Sequence, residues 1–207
     1  MIGRDFSTDW VSAHTPRWRE ELRHLVGRPG ATILEVGSFE GRSACWFSDH
    51  ILTGEGARIF CVDPWGSPGY REKFERNTAE HRAAGRIVMA RGTVLELERY
   101  NPPLRFDAAY IDGDHTAEGV LTDVTVAWPR LAVGGVMIFD DYEHSPETYV
   151  DMRQAIDKFL ALEGVRFELL HRGVQVAIAK IADGPVTLWI CRMHGVVHAD
   201  GLTCGRR

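Results

Sequence analysis

Two short apolar runs that each end in aspartate constrain the fold of this chain most strongly. The first run, 108–111, precedes Asp112, and the second, 136–139, precedes Asp140 and Asp141. A stretch with helical periodicity separates the runs, and two strands joined by a helix lie parallel. Their carboxyl ends therefore open on the same edge of a sheet, where open α/β folds bind ligands.

The same alternation extends along most of the chain. Helix-like and strand-like segments alternate from about residue 16 to residue 180, which predicts an α/β fold with a doubly wound, seven-stranded, mostly parallel sheet. The last two strands are joined only by His171–Gly173, a linker too short for a crossover helix, so the last strand is predicted to be antiparallel. The expected strands are 31–36, 58–62, 86–90, 106–111, 134–140, 165–170 and 174–180, and the expected helices after the first are 41–53, 70–83, 117–131 and 147–162.

Length, composition and charge narrow the class of partner. At 207 residues we expect a single domain over residues 1–182 with an N-terminal helix, and a C-terminal extension of unknown role over residues 183–207. The net charge of -5 and the pI near 6.0 argue against nucleic acid or an anionic membrane as partner, so we expect a small molecule. The four cysteines form no C-x-x-C pair and no stretch has the length of a membrane span, which favours a reducing cytoplasm. The sequence does not decide whether the chain forms a homo-oligomer.

A glycine-containing turn, residues 37–43, follows the first predicted strand. Gly37 and Gly41 allow a sharp turn, and the start of the next helix offers free N–H groups to an anionic ligand group. The spacing is G-x-x-x-G and not the dinucleotide fingerprint G-x-G-x-x-G, so a nicotinamide-dependent oxidoreductase is the disfavoured alternative. Asp63 ends the second strand, where a carboxylate can accept hydrogen bonds from ribose hydroxyls; a turn aspartate is the other interpretation.

The three strand-end aspartates form a candidate cation site. Asp112, Asp140 and Asp141 would bring carboxylate oxygens, the ligands that Mg²⁺ prefers, to one edge of the sheet. Each of them alone could instead cap the helix or turn that follows it.

These segments resemble the class I S-adenosylmethionine-dependent methyltransferases, and more closely the small bacterial group called methyltransferase family 24. The family's fold is a seven-stranded sheet with an antiparallel last strand, and the resemblance covers nearly all of residues 8–180. One departure is Ala132-Val133, where the family usually has lysine and proline. The motifs that carry the resemblance are 35–43, 110–115, 128–135 and 139–142.

The resemblance implies that S-adenosyl-L-methionine binds along the carboxyl edge of the sheet. Glu35, Gly37 and Ser43 would surround its methionine part, and Asp63 would hold the ribose. Gly92 and Thr93 would lie near the adenine, and the ring of Trp65 would cover the adenosine. The full implied set of cofactor-binding residues is Glu35, Gly37, Ser38, Gly41, Ser43, Asp63, Trp65, Gly92, Thr93 and Asp112.

Metal-dependent catechol and sugar O-methyltransferases of this fold are similar to the chain at the aspartates. The similarity maps their acidic ligands onto Asp112, Asp140 and Asp141, where Mg²⁺ or a similar divalent cation would lower the pKa of a bound hydroxyl. Asp114 and His115 are the two candidates for the catalytic base, and the sequence does not choose between them. The implied reaction is metal-assisted O-methylation of a hydroxylated small molecule, such as a sugar or a phenolic natural product. A noncatalytic cofactor-binding module is the other alternative.

Features near both ends of the chain allow two further predictions. Three aromatic residues near the start could cover the cleft or form a dimer contact: Phe6, Trp10 and Trp18. A C-x₂-H-x₃-H-x₅-C pattern in the C-terminal extension fits no common zinc finger, so a short hairpin or an extension across a neighbouring subunit is favoured. The pattern consists of Cys191, His194, His198 and Cys204.

Overall fold

The computed structural model describes residues 3–100, 102–143, 150–184, 188–191 and 196–199. Its centre is a sheet of seven strands: β1 (Thr32–Val36), β2 (Arg58–Asp63), β3 (Ile87–Arg91), β4 (Phe106–Ile111), β5 (Leu131–Phe139), β6 (Arg166–Arg172) and β7 (Val176–Ala182). In space the strands follow the order β3-β2-β1-β4-β5-β7-β6.

The pairing confirms the predicted sheet. β1 pairs in parallel with β2 and β4, β2 with β3, and β4 with β5. β7 runs antiparallel to both β5 and β6, because the short loop after β6 returns the chain directly. The antiparallel last strand therefore lies inside the sheet, with β6 at its edge.

Six helices surround the sheet in the described part of the chain: α1 (Thr15–Glu21), α2 (Arg42–His50), α3 (Pro68–Asn77), α4 (Ala79–Ala83), α5 (Ala117–Ala127) and α6 (Val150–Leu160). The single helix predicted over 70–83 is wrong, because the backbone leaves helical geometry at Thr78, whose hydroxyl donates to the Phe74 carbonyl oxygen at 2.6 Å. The helix predicted over 117–131 ends at Ala127, and a 3₁₀ turn containing Pro129 leads into β5, which begins three residues before the predicted start at 134.

Two hydrophobic cores lie on opposite faces of the sheet, because successive side chains of a strand point to opposite sides. Ala109 and Ile111 of β4 belong to one core, and Ala108 and Tyr110 belong to the other. Trp18 of α1 is fully buried in the second core, so this aromatic residue packs the fold and does not cover the cleft.

The described part of the C-terminal extension contains a small antiparallel pair, as the hairpin prediction expected. β8 (Leu188–Cys191) pairs with β9 (Val196–Ala199), with Trp189 opposite His198. The other two members of the C-x₂-H-x₃-H-x₅-C pattern, His194 and Cys204, lie outside the described residues. Among the helices that the structure describes, none combines the length and apolar character needed to cross a membrane.

Candidate active site

Three loops meet at the carboxyl edge of the sheet. They are the glycine loop (residues 37–41) after β1, the loop after β4 that begins with Asp112, and the loop after β5 that begins with Asp140. The Asp112 N–H donates to the Val36 carbonyl oxygen at 2.8 Å, and the Asp140 N–H donates to that of Ile111 at 3.0 Å. These hydrogen bonds continue the sheet past its strand ends and fix the loops relative to each other.

Gly37 is where the glycine loop touches the loop after β4. Its φ is +85°, in the left-handed region, and a Cβ placed there would lie 1.8 Å from the Asp112 carbonyl oxygen. The expected close approach at Gly37 therefore exists, but it is to the backbone of Asp112. Glycine is required here because the two halves of the site pack directly together.

Asp63 anchors the glycine loop. Its Oδ2 accepts from the N–H groups of Ser38 and Phe39, both at 2.9 Å, and its Oδ1 accepts from the Trp65 N–H at 2.6 Å. A carboxylate has about four acceptor positions, so one remains for a ligand hydroxyl. The ribose role of Asp63 stays a prediction.

Trp65 does not have the predicted role in this arrangement. Its side chain is 2% exposed, its ring packs against Phe74 at 4.6 Å between centroids, and its Nε1 donates to the Phe39 carbonyl oxygen at 2.8 Å. A ring that covers adenosine needs a face that is free before the ligand binds. Trp65 has none, because it supports the glycine loop from the interior.

The other implied cofactor residues surround the same loop. Glu35 is fully buried, and its Oε2 accepts from the Ser38 hydroxyl at 2.6 Å. Burial raises the pKa of Glu35 to about 7, although hydrogen bonds from Ser38 and Ser43 oppose the shift. Gly41, with φ +82°, precedes α2, in which Ser43 lies in the first turn. The Gly92 N–H donates to the Asp63 carbonyl oxygen at 3.0 Å, which places Gly92 and Thr93 next to the end of β2.

The chain before α1 is fastened over the glycine loop, and we call residues 4–12 the N-terminal strap. Glu40 is buried, and its carboxylate accepts from the N–H of Ser7 at 2.6 Å and from the Ser7 hydroxyl at 2.8 Å, with Lys73 Nζ at 3.3 Å. Burial by itself raises the pKa of Glu40, but the bonds from Ser7 and Lys73 outweigh it and lower the pKa. Arg42 pairs with Asp9 at 2.7 Å. No sequence pattern pointed to this contact, because the strap has no helical or strand periodicity.

A single cleft joins these parts. The strap forms one wall, the glycine loop and the start of α2 form the floor, and the ends of β4 and β5 close the far side. Phe6 and Trp10 therefore border the cleft, which agrees with the expectation that aromatic residues near the start could cover it. The lining residues are Phe6, Thr8, Trp10, Val11, Gly37, Ser38, Phe39, Glu40, Arg42, Ser43, Tyr110, Asp112 and Asp140.

Asp112, which lines the far side of the cleft, forms a compact group with His115 and Asp141, which we call the Asp-His cluster. His115 Nε2 lies 3.5 Å from Asp112 Oδ1 and 3.5 Å from Asp141 Oδ2, and one donor atom from each residue lies within 4.8 Å of the others. Burial raises the pKa of Asp112 to about 7, with the His115 hydrogen bond opposing the shift and the neighbouring carboxylates adding to it. The hydrogen bond to Asp112 raises the pKa of His115. The two carboxylates offer the oxygen ligands that suit a divalent cation, and the imidazole beside them can accept a proton.

Asp140 is not placed as the metal ligand that the sequence predicted. Its Oδ2 accepts from the Tyr110 hydroxyl, and its Oδ1 accepts from the Asp141 N–H at 2.8 Å and from Gln175 Nε2 at 2.9 Å. The Asp140 carboxylate is thus held by protein donors, and it is not part of the Asp-His cluster. The structure brings His115, in place of Asp140, next to Asp112 and Asp141.

Comparison with known proteins identifies the family. A family model described as a methyltransferase domain (Methyltransf_24) matches residues 34–142, more than half of the chain. The chain belongs to this methyltransferase family. The matched residues run from β1 through the loop after β5, so they contain every element that forms the cleft except the strap.

A sequence relative and several solved structures are similar to this chain. The uncharacterized protein R132 of Acanthamoeba polyphaga mimivirus is 26% identical over 135 residues, which cover 60% of this chain and 57% of the viral protein. An O-methyltransferase from Bacillus cereus in complex with SAH has a TM-score of 0.58 at 21% identity, covering 86% of this chain and 84% of that one. TDP-rhamnose 3'-O-methyltransferase of calicheamicin biosynthesis has a TM-score of 0.59 at 20% identity, covering 81% of this chain and 78% of that one. An rRNA methylase from Streptococcus thermophilus has a TM-score of 0.59 at 11% identity, covering 85% of this chain and 100% of that one.

The two candidates for the catalytic base are in different environments. Asp114 is exposed, its Oδ1 accepts from the Thr116 N–H at 3.0 Å, and it packs so closely on Gly119 that a Cβ there would lie 2.4 Å from the Asp114 Cβ. Asp114 thus closes the turn before α5, whereas His115 points into the Asp-His cluster. The geometry favours His115 as the base.

No sequence pattern indicated that two further residues of the candidate site contact Asp140. Tyr110 and Gln175 are both 3% exposed, and both donate to Asp140. Tyr110 looked like an ordinary strand residue, and Gln175 lies in a hairpin loop without a motif. The contact of Gln175 with Asp140 depends on how β7 returns beside β5, which no local pattern describes.

Proposed function

We propose that this chain is an S-adenosylmethionine-dependent O-methyltransferase that acts on a hydroxylated small molecule with the assistance of a divalent cation. The observation that carries the proposal is the single cleft in which the glycine loop lies at one end and Asp112 of the Asp-His cluster at the other. A methyl donor bound along the glycine loop would face an acceptor held at the cluster, as in-line transfer requires.

The floor of the cleft suits the methyl donor. The first turn of α2 offers backbone N–H groups to the carboxylate of the methionine part. Asp63 keeps one acceptor position for the ribose, beside the loop that it anchors. S-adenosylmethionine brings its own activated methyl group on a sulfonium, so the protein mainly orients the reactants. The SAH complex of the similar Bacillus cereus enzyme supports this choice of cofactor.

The Asp-His cluster would receive the acceptor hydroxyl. We assign Asp112 and Asp141 as the carboxylate ligands of Mg²⁺ or a similar cation, which typically binds to one or two carboxylates and completes its shell with other oxygens. When bound, the cation supplies Lewis acidity that lowers the pKa of the acceptor hydroxyl. His115, held between the two carboxylates, accepts the proton as the hydroxyl oxygen attacks the methyl group.

Charge argues for a small acceptor. The similar structures include a sugar O-methyltransferase and an rRNA methylase, so the fold by itself does not choose the acceptor. A protein that binds RNA needs a positive surface to neutralise phosphates, whereas this chain has a net charge of -5 and an acidic acceptor side. A sugar or phenolic hydroxyl is therefore the acceptor class that we propose.

Two measurements test the proposal in order. Thermal-shift titration with S-adenosylhomocysteine and with NAD separates a methyltransferase from a nicotinamide enzyme, since only a true ligand stabilises the fold by mass action. We expect stabilisation by S-adenosylhomocysteine alone; stabilisation by NAD alone would contradict the cofactor assignment. Transfer of labelled methyl groups to nucleotide sugars and phenols should then stop after EDTA treatment and return with Mg²⁺. Binding of the cofactor without transfer to any hydroxyl acceptor would support a noncatalytic module.

A further inference from the structure

Three buried polar side chains from separate parts of the fold, together with the half-buried Asp140, form a continuous chain that ends at the candidate active site. Trp18 Nε1 of α1 donates to Gln175 Oε1 at 2.9 Å, and Gln175 Nε2 donates to Asp140 Oδ1 at 2.9 Å. The Tyr110 hydroxyl of β4 donates to Asp140 Oδ2. Trp18, Gln175 and Tyr110 are each at most 3% exposed, so water does not compete for these hydrogen bonds.

The chemistry of the donors fixes the direction of the chain. An indole N–H can only donate, so Gln175 must present its carbonyl oxygen to Trp18. The amide of Gln175 then has only its NH₂ group to offer to Asp140, and this group needs an acceptor, which a carboxylate supplies. The Tyr110 hydroxyl donates to the other carboxylate oxygen of Asp140. Trp18 thereby sets the orientation of Gln175, and Gln175 with Tyr110 sets that of Asp140.

The orientation of Asp140 is passed to Asp141. Asp140 Oδ1, the atom that Gln175 contacts, also accepts from the Asp141 N–H at 2.8 Å. Asp141 has φ +56°, a left-handed conformation that is uncommon for a residue other than glycine. This turn directs the Asp141 carboxylate toward His115, to a distance of 3.5 Å.

We propose that Gln175, oriented by Trp18, is a positioning residue that holds Asp140 and through it places Asp141 in the Asp-His cluster. The role of Asp140 is then to support the turn, and the helix α1 and the β6–β7 loop become part of the acceptor side of the site. The consequence for catalysis rests on the proposed function, whereas the consequence for the position of Asp141 does not.

Three variants and one matched control test this role. Trp18→Phe keeps an aromatic ring in the core and removes the N–H that orients Gln175, together with part of the indole volume. Gln175→Leu removes both hydrogen bonds, and Gln175→Glu places a carboxyl group against Asp140. The control is Lys180→Met, at the other end of β7, where the buried ammonium donates to the carbonyl oxygens of Trp128 at 3.1 Å and Leu131 at 2.9 Å. It disturbs a buried polar contact of the same strand away from the site.

The first readout is NMR of the metal-free protein. The indole N–H resonance that disappears in Trp18→Phe identifies Trp18, and it should shift in both Gln175 variants. The ring resonances of His115 should shift in all three variants, because Asp141 no longer reaches the imidazole, and they should stay unchanged in Lys180→Met. Unchanged His115 resonances in Gln175→Leu, with the protein folded by circular dichroism, would overturn the proposal even if the chain proved to bind no metal.

The second readout is titration with Mn²⁺ and with S-adenosylhomocysteine. Loss of a group that orients a ligand typically weakens metal binding by about 10–100-fold, and we expect this for Gln175→Leu and Trp18→Phe. Affinity for S-adenosylhomocysteine should stay at the wild-type value. An equal loss of Mn²⁺ affinity in Lys180→Met would mean general destabilisation and would contradict a positioning role. Absence of Mn²⁺ binding to the wild type would instead contradict the metal part of the proposed function, and the His115 resonances would still decide the inference.

Discussion

Gly37 and Asp112 are in direct contact across the site: a Cβ at position 37 would lie 1.8 Å from the Asp112 carbonyl oxygen. Gly37 begins the loop proposed to hold the methyl donor, and Asp112 belongs to the cluster proposed to hold the acceptor. Because this contact involves backbone on both sides, neither half can shift without the other. The distance between donor and acceptor is therefore built into the fold.

Replacement of Gly37 by alanine should damage both halves of the site. The methyl group would collide with the Asp112 backbone and would also occupy a left-handed conformation at φ +85°. Gly56→Ala is the matched control, because Gly56 has φ +69° and nothing within 4 Å of the added Cβ. We expect the control to lower the free energy of unfolding by about 1–2 kcal/mol, the cost of the left-handed conformation alone. Gly37→Ala should cost more than that in urea denaturation, and it should abolish binding of S-adenosylhomocysteine. Equal stability of the two variants would contradict the contact.

Replacement of Asp63 should weaken cofactor binding in two ways. Asp63→Ala removes the acceptor of three backbone N–H groups of the glycine loop and its surroundings, and also the proposed acceptor for the ribose. We expect the affinity for S-adenosylhomocysteine to fall by about 1–3 kcal/mol, measured by calorimetry. Asp63→Asn keeps one side-chain oxygen and should retain more of the folding stability than Asp63→Ala. Wild-type affinity in both variants would rule out a role of Asp63 in holding the cofactor or its loop.

The N-terminal strap should loosen when Glu40 loses its charge. The pKa of Glu40 lies below its ordinary value of 4.5, so its stabilising contribution is complete above that pH and is lost as the pH falls through the lowered value. Glu40→Gln should therefore lower the protection of the Ser7 amide against hydrogen exchange at neutral pH. Acid below about pH 4.5 should lower this protection in the wild type, when the exchange rate is compared with the intrinsic rate at the same pH. Glu72→Gln, at an exposed position of α3, is the control and should leave this exchange rate unchanged. Slow exchange at Ser7 in Glu40→Gln would show that other contacts hold the strap.

A buried carboxyl group in α5 should make stability depend on pH. Asp123 is 6% exposed, its Oδ2 has no hydrogen-bond partner in the described part of the chain, and burial raises its pKa to about 7. The unfolded chain releases this proton near pH 4, whereas the fold retains it until about pH 7, so the ionised group destabilises the fold as the pH rises between these values. Asp123→Asn should change stability little at pH 4 and should raise it relative to the wild type at pH 8, measured by urea denaturation. A gain that is the same at both pH values would contradict the raised pKa, and Asp151→Asn at an exposed position of α6 provides the comparison for a solvated carboxylate.

The sequence alone was sufficient to predict the parts of the candidate site that lie at strand ends. Alternating apolar runs and helical stretches predicted the doubly wound sheet, and the aspartates after β4 and β5 lie at the predicted edge because parallel strands end on the same side. The same reasoning could not predict the direction in which individual side chains point. Asp140 and Asp141 are neighbours in the chain, and the contacts of Asp140 with Tyr110 and Gln175 decide which of the two carboxylates approaches His115. Trp65 was wrongly predicted to cover the adenosine for the same reason: its position next to β2 was evident, but not that its ring turns into the core.

The different roles of Asp140 and Asp141 lead to the sharpest prediction on the metal. Asp141→Asn removes a carboxylate of the Asp-His cluster, so Mn²⁺ affinity should fall strongly and methyl transfer should become insensitive to added Mg²⁺. Asp140→Asn can keep an oxygen directed at the Asp141 N–H and Gln175, so it should retain more of the Mn²⁺ affinity than Asp141→Asn. The measurement is Mn²⁺ titration of the folded variants by calorimetry, followed by transfer assays with EDTA and with Mg²⁺. A greater loss of affinity in Asp140→Asn would restore Asp140 as the ligand that the sequence predicted. Full activity of both variants in EDTA would mean that His115 removes the acceptor proton without a metal ion.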